Sequence, residues 1–304
     1  MRGVFVDANT SLADIFERQR KSGDPTVRIN RNPDIKPDEM PALLDGAEIV
    51  VIDHTALPAD IARRCDGLKH VVFLGTGARS YMNPEELAEL GIEVHLIKGY
   101  GDTAVAECAI ALMWAAARGI ARMDREMRGG NWLREDGMQL TGKTLGLVGF
   151  GGIASEVARV ALGSGLRVIA WNRSPKKFNG VEFVALKALL AQSDVISLHL
   201  LLNDETRGFL SRERIAAMKP GVILVNTARG AMVDEAAMIE ALKSGHIRHA
   251  GLDVFNIEPL PVDHPLTKLP NVTLSAHSAF RTPEASENLI HAAWEHCRRI
   301  AKEA

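Results

Sequence analysis

Short apolar runs alternate with helical stretches along nearly the whole chain, and this alternation restricts the fold more than any other feature. In the first hundred residues the runs lie at 4–6, 27–29, 49–52, 71–74 and 92–94. A second series follows at 145–148, 168–171, 195–198, 222–225, 250–252 and 272–274. Buried strands separated by helices form parallel sheets that are covered on both faces. The sequence therefore predicts an α/β protein with two doubly wound parallel sheets.

The segment between the two series predicts one long helix over residues 103–128, capped by Asp102 or Thr103 and ended by Gly129 and Gly130. Pro283 opens a last helix that runs to about residue 300. A chain of 304 residues has room for two domains. We expect a discontinuous first domain, residues 1–100 and 282–304, with a second domain, residues 101–281, inserted into it.

Composition and charge exclude several classes of protein. The net charge of −2 gives no electrostatic basis for binding nucleic acid or an anionic membrane. The best apolar run, residues 108–117, is about half the length that a membrane span needs. The three cysteines are far apart and form neither a disulfide framework nor a metal motif, so we expect a cytoplasmic protein without a bound metal.

The sequence LGLVGFGGIA at 145–154 has the form of a dinucleotide-binding turn. Gly149 allows a tight turn, and Gly151 lets the backbone approach a pyrophosphate. Gly152 and Ile153 then begin a helix whose free N–H groups favour an anion. Ala154 occupies the third position of the motif, which only sets helix–strand packing. Because an apolar strand precedes the motif and a helical pattern follows it, we predict dinucleotide binding rather than a purely structural turn.

The residues after the next strand bear on the choice of cofactor. An NAD-selective site places Asp or Glu here to accept from the ribose hydroxyls, whereas this chain has Asn172, Arg173 and Ser174. No carboxylate repels a 2′-phosphate, and Arg173 can bind one. We therefore expect NADP to be preferred over NAD, the alternative being that Arg173 is a solvated turn residue.

Three late strands each run toward an ionisable residue. Arg229, Glu258 and His277 follow the strands at 222–225, 250–252 and 272–274. Ligands of open α/β sheets bind beyond the carboxyl ends of strands, so these side chains could face one cleft. Arginine suits a carboxylate, histidine exchanges a proton near neutral pH, and a glutamate can orient that histidine. Each also has a bland interpretation, as an ion-pair, loop or structural residue.

Together these motifs resemble the D-isomer-specific 2-hydroxyacid dehydrogenase family over nearly the whole chain. The matching segments are LGTG at 74–77, VAE at 105–107, the glycine motif, NTARG at 226–230, GLDVF at 251–255, EPL at 258–260, and His277. The resemblance implies a Rossmann cofactor domain inserted into a flavodoxin-like substrate domain, and a homodimer. It also implies hydride transfer between NAD(P)H and a small 2-oxo acid, as in glyoxylate and hydroxypyruvate reductases.

The resemblance also implies roles for single residues. Arg229 would bind the 2-oxo acid, His277 would act as acid and base, and Glu258 would be its partner. The main-chain N–H groups of the next four residues would hold the substrate carboxylate: Leu74, Gly75, Thr76 and Gly77. The family's cofactor contacts match Gly152, Ile153, Thr227, Ala228, Arg229, His277 and Asp253, with Asp253 on the nicotinamide carboxamide.

Two other functions remain open at this point. Phosphoglycerate dehydrogenase would need extra cations for the substrate phosphate, for which Arg79 and Arg281 are candidates. A cofactor-sensing protein similar to the family's corepressors would keep the same three ionisable residues. The chain departs from the family pattern with HLL at 199–201 and with Phe280 where a glycine-rich turn is common, and Phe280 could alter substrate choice. Trp132 lies in what resembles the dimerisation segment and could reach a partner subunit.

Overall fold

The structure, a computed structural model, describes residues 1–303 and divides into two compact units. The first unit comprises Met1–Gly101 and the segment from Arg281 onward, and the second comprises Asp102–Phe280. Each unit contains its own parallel sheet. The predicted fold class, α/β with two parallel sheets, is confirmed.

Strands and helices alternate through both units. The strands are β1 (Arg2–Phe5), β2 (Thr26–Ile29), β3 (Ile49–Ile52), β4 (His70–Phe73), β5 (Glu93–Leu96), β6 (Thr144–Val148), β7 (Arg167–Trp171), β8 (Val181–Phe183), β9 (Val195–Leu198), β10 (Val222–Asn226), β11 (Ile247–Leu252) and β12 (Val272–Leu274). The helices are α1 (Thr10–Arg18), α2 (Met40–Leu44), α3 (Ala59–Ala62), α4 (Pro84–Glu89), α5 (Asp102–Arg118), α6 (Ile120–Arg128), α7 (Gly152–Gly163), α8 (Leu186–Gln192), α9 (Arg212–Ala216), α10 (Glu235–Ser244), α11 (Pro265–Lys268) and α12 (Pro283–Glu303).

The first unit is built on a five-stranded parallel sheet in the order β2-β1-β3-β4-β5, the order of flavodoxin-like folds. The C-terminal helix α12 belongs to this unit and packs with α1. Its Trp294 is fully buried and stacks on Phe16 at a ring-centroid distance of 4.2 Å. The indole Nε1 donates a hydrogen bond of 3.0 Å to the Phe16 carbonyl. Nearby, Arg298 donates to the carboxylate of Asp24.

The second unit is built on a seven-stranded parallel sheet in the order β12-β11-β10-β9-β6-β7-β8. The chain winds outward from β6 through β7 to β8, then crosses to β9 on the other side of β6. The direction of winding reverses between β6 and β9, and this is where open α/β sheets bind ligands at their carboxyl edge. Apolar clusters cover both faces, as the nearly continuous apolar strands require.

The structure corrects the prediction of one helix over residues 103–128. Two helices, α5 and α6, meet at Gly119 with a bend of 67°. Gly119 has a φ of 62°, and this left-handed conformation interrupts the helix at little cost only for glycine. No single helix in residues 1–303 is long and apolar enough to cross a membrane, and α5 with α6 reach that length and composition only as a bent pair.

The packing of α12 predicts a large loss of stability on truncating its tryptophan. Replacing Trp294 with Ala removes the stacked ring and one buried hydrogen bond, so the free energy of unfolding should fall by about 3–5 kcal/mol in a urea titration. His291→Ala, an exposed change on the same helix, is the matched control and should stay within about 0.5 kcal/mol of the parent. Equal stability of the two variants would contradict this account of the packing.

Candidate active site

The glycine motif forms a tight turn between β6 and α7. Gly149 has a φ of 89°, and a Cβ there would lie 2.6 Å from the carbonyl oxygen of His199, so no larger residue fits. Gly151 is the N-cap of α7, and open space lies where its Cβ would be. Ile153 follows Gly152 in the first turn of the helix. The backbone is therefore bare where a pyrophosphate would meet the helix N-terminus.

A carboxylate that the sequence analysis missed lies against this turn. A Cβ on Gly152 would come within 1.7 Å of Asp102 Oδ2, so the Asp102 side chain occupies the space beside the first residue of α7. Burial raises the pKa of Asp102, and the nearby charge of Glu156 raises it further. Sequence alone offered Asp102 only as a cap for α5, because nothing in the local pattern shows that α5 and α7 pack together.

The residues that we expect to contact the adenosine ribose or its 2′-phosphate lie at the end of β7. Asn172 Oδ1 accepts from the Phe150 N–H at 3.0 Å, and Asn172 Nδ2 donates to the Ser174 carbonyl at 2.8 Å. The side chain of Asn172 thus ties the glycine turn to the loop after β7. Arg173 is exposed and pairs with Glu205 at 2.7 Å. A 2′-phosphate would have to compete with Glu205 for the guanidinium.

The side-chain amide of Asn226 stabilises the turn after β10. Asn226 donates to the carbonyl of Arg229 at 3.0 Å and accepts from the N–H of Ala228 at 3.0 Å. The hydroxyl of Thr227 is buried and has no hydrogen-bond partner within residues 1–303. A buried hydroxyl without a partner is costly. Together with the bare glycine turn, it fits a site that a nicotinamide dinucleotide completes.

The three ionisable candidates come from neighbouring parallel strands, since β10, β11 and β12 are adjacent in the sheet. Their carboxyl ends therefore lie at one edge. The loops after β10 and β11 also touch, because a Cβ on Gly230 would lie 2.2 Å from the carbonyl carbon of Phe255. Only glycine allows this approach, and it brings the loop of Arg229 against the loop that leads to Glu258.

His277 occupies a strained turn that Asp253 stabilises. Its φ is 48°, which is uncommon for a residue with a side chain. The His277 N–H donates to the Asp253 carbonyl at 2.7 Å. The fully buried Asp253 carboxylate accepts from the Ser275 hydroxyl and from the N–H groups of Ser278 and Ala279. In the structure, Asp253 thus shapes the histidine turn, a role that the sequence analysis did not foresee.

Glu258 fixes the orientation of the His277 ring. Glu258 Oε2 lies 2.6 Å from His277 Nδ1, and Oε1 accepts from the Phe255 N–H at 2.8 Å. Because the carboxylate accepts from Nδ1, the second ring nitrogen, Nε2, remains free to exchange a proton with a ligand. Phe280 contacts the ring edge-on at 6.3 Å between centroids.

Arg229 is half-buried, and its guanidinium donates to the adjacent Ala228 carbonyl at 2.6 Å. It forms no ion pair with any carboxylate in the described chain, so the interpretation as a surface ion-pair residue finds no support. A permanently charged fork with no carboxylate partner is suited to an anionic ligand.

The loop after β4 offers fewer free donors than the sequence suggested. Leu74 N–H donates to the Ile52 carbonyl and Gly75 N–H to the Phe73 carbonyl, both at 2.8 Å. Within residues 1–303, the N–H groups of Thr76 and Gly77 have no hydrogen-bond acceptor. Only these two of the four predicted groups are free to hold a carboxylate.

Known proteins resemble this chain in sequence and in fold. The family described as "D-isomer specific 2-hydroxyacid dehydrogenase, NAD binding domain" matches residues 110–279. The chain is 40% identical to a hydroxypyruvate reductase of Thermotoga maritima over 84% of its length and 85% of the relative. It is 39% identical to a glyoxylate reductase of Aeropyrum pernix, covering 77% of this chain and 76% of the relative. Phosphoglycerate dehydrogenases also match, but the chain spans only about half of their length.

Among solved structures, an acyclic imino acid reductase in complex with NADPH and D-Arg has a TM-score of 0.88 with this chain. The two are 28% identical, and the match covers 100% of this chain and 98% of that one.

The position of Asp102 predicts an effect on dinucleotide binding. Asp102→Asn removes a negative charge beside the N-terminus of α7, so NADPH should bind about fivefold more tightly, as expected for a charge interaction of about 1 kcal/mol. The parent should also bind more tightly as pH falls through the raised pKa of Asp102, because protonation removes the same charge. Fluorescence titrations of NADPH across pH test both effects. Parallel pH profiles in parent and variant would contradict them.

Proposed function

The chain belongs to the D-isomer specific 2-hydroxyacid dehydrogenase family and is an NAD(P)-dependent oxidoreductase, and on this premise we propose that it reduces glyoxylate and hydroxypyruvate. The relatives that carry these two names support the substrate class. The observation that carries the proposal within this chain is the His277–Glu258 contact of 2.6 Å. It leaves one ring nitrogen for the substrate oxygen.

In the proposed reaction, His277 Nε2 gives its proton to the substrate carbonyl oxygen. Glu258 holds the ring through Nδ1 and stabilises its positive charge before transfer. Arg229 binds the 2-oxo acid and polarises its carbonyl group. The reduced nicotinamide, when bound, supplies the hydride to the carbonyl carbon. Gly149, Gly151 and the α7 N-terminus would hold the dinucleotide, and the buried Thr227 hydroxyl would hydrogen-bond to it.

We propose further that the two units bind different ligands. Residues 101–281 would hold the cofactor, and residues 1–100 with 282–304 would hold the substrate. The N–H groups of Thr76 and Gly77 would then bind the substrate carboxylate. Asp253 would meet the nicotinamide carboxamide in addition to shaping the histidine turn.

The proposed assembly is a homodimer. Trp132 is 74% exposed, and Ile120 and Met127 on α6 are each more than half exposed. Neighbouring exposed apolar side chains of this kind are typical of an interface.

The proposed location is the cytoplasm. The three cysteines form no disulfide, which supports a reducing, cytoplasmic location.

The two alternative functions are phosphoglycerate reduction and cofactor sensing. Arg79, one candidate for a phosphate site, pairs with Glu85. This pair is exposed and contributes little by itself, so phosphoglycerate would have to displace Glu85 to use this arginine. A cofactor-sensing protein would bind NAD(P)H without turning over any 2-oxo acid. A panel of 2-oxo acids assayed with NADPH and NADH separates this function from catalysis.

NADP remains the proposed preferred cofactor. Asn172 carries no charge to repel a 2′-phosphate, and exposed Arg173 lies one residue further on. The exposed Arg173–Glu205 pair itself contributes little, so a phosphate dianion can displace Glu205. The Ser174 hydroxyl would add a further donor.

The first test concerns the acid–base pair. His277→Ala should lower kcat by about 10²–10⁴-fold while the Kd for NADPH stays nearly constant, because only proton transfer is lost. Glu258→Gln should lower kcat less, since an amide can still hold the ring but no longer stabilises the protonated form that donates the proton. Arg229→Lys should mainly raise KM, because a point charge cannot replace the planar fork.

The chain offers a matched control in a second His–Glu pair of the same unit, His264 with Glu235 at 3.2 Å. His264→Ala should leave kcat unchanged. Full turnover of His277→Ala would overturn the proposed mechanism.

The second test concerns cofactor choice. Arg173→Ala should weaken NADPH binding by about tenfold at low salt and leave NADH binding unchanged. Glu205→Gln should strengthen NADPH binding, because it frees the same guanidinium. Arg167→Ala, at the opposite end of β7, removes another exposed arginine that pairs with a glutamate and serves as the control. Tighter binding of NADH than of NADPH by the parent would refute the preference.

A further inference from the structure

A cluster of potential metal ligands lies on the sheet of the first unit, on residues that the proposed reaction does not use. His70 on β4 is directly opposite Glu93 on β5, and His95 follows Glu93 by two residues. Alternation along a strand places all three side chains on one face of the sheet. One ligand atom from each residue lies within 4.8 Å of the others.

The distances suit a chelate. His70 Nδ1 and His95 Nε2 are 3.2 Å apart. Two ligands at about 2.0–2.1 Å from a tetrahedral ion are separated by roughly 3.3 Å. Glu93 Oε2 is 3.8 Å from His70 Nδ1, so a small rotation of this exposed carboxylate completes the set. Two imidazoles and a carboxylate are a donor set that zinc and neighbouring divalent ions prefer.

The cluster joins a buried ring to an exposed carboxylate. His95 is buried, whereas the side chain of Glu93 reaches solvent. The other charged or titratable groups around His95 are His70, His296 and Arg299.

We propose that His70, Glu93 and His95 form a binding site for a divalent transition-metal ion of the Zn²⁺ class, in contrast to the expectation from the sequence that the chain binds no metal. Glu93 neutralises part of the ion's charge. The ion joins the edge strand β5 to β4 and so stabilises the first unit. A water molecule or His296, whose ring lies 5.6 Å from that of His95, completes the coordination.

Arg299 opposes the ion in this site. Its Nη2 lies 3.2 Å from His95 Nδ1 and donates to it, which places the His95 proton on Nε2, facing His70. Metal binding at Nε2 requires that proton to move to Nδ1, and Arg299 must then withdraw. Glu303, 3.3 Å from Arg299 Nη1, offers the guanidinium an alternative partner. Removing Arg299 should therefore tighten metal binding, an effect that nonspecific binding to surface histidines would not show.

The test is a calorimetric titration of the full-length protein with Zn²⁺. The parent should bind one ion per chain, and its melting temperature should rise by about 5 °C at a concentration near 100 times Kd. His70→Ala and Glu93→Gln should each weaken binding by at least about tenfold, whereas Arg299→Ala should strengthen it. Co²⁺ should give the visible absorption of a tetrahedral nitrogen and oxygen site in the parent but not in His70→Ala.

His291→Ala provides the control, since it removes one exposed histidine from α12 and should change neither binding nor the Co²⁺ spectrum. Circular dichroism and NADPH binding show whether each variant is folded. The proposal is overturned if the parent binds no ion, if folded His70→Ala binds as tightly as the parent, or if Arg299→Ala binds no more tightly.

Discussion

The proposed chemistry depends on one buried carboxylate, that of Asp253. An isolated charge in a fully buried position would be strongly unfavourable, so it must be satisfied by hydrogen bonds. The Ser275 hydroxyl and two main-chain N–H groups supply them. These bonds hold the chain on both sides of His277, whose left-handed conformation costs of order 1 kcal/mol or more and persists only where the surroundings enforce it. The position of the histidine is thus set from the neighbouring strand.

Close approach of backbones is the second constraint, and glycines in the strands and turns of the second unit provide it. A Cβ on Gly251 would lie 2.9 Å from Leu112 Cβ, so this glycine lets α5 pack directly on β11. Gly230 plays the same part between the loops that follow β10 and β11. The glycines of the NTARG and GLDVF motifs therefore have a structural reason that is independent of any ligand. Gly230 in addition brings the loop of Arg229 against the loop that leads to Glu258.

The sequence predicted those features that depend on local pattern. Apolar runs located eleven of the twelve strands, and the glycine spacing located the nucleotide turn. It missed β8, which is only three residues long and partly exposed, and the break at Gly119, where one glycine overrides a continuous helical pattern. It also missed Asp102 beside Gly152 and the internal bonds of Leu74 and Gly75, because these contacts join segments that are distant in sequence or depend on the exact path of the backbone.

Cofactor choice should depend on Arg173 rather than on Asn172, because Asn172 stabilises the local backbone and Arg173 does not. Both polar atoms of the Asn172 side chain are already used, Oδ1 by Phe150 and Nδ2 by Ser174. An aspartate could keep the first bond but would lose the second, so a carboxylate here would disturb the loop as well as repel phosphate. The Arg173 side chain does not stabilise the loop in this way, since its exposed ion pair with Glu205 is weak. The choice between NADP and NAD can therefore change through an exposed arginine while the turn that binds the pyrophosphate stays intact.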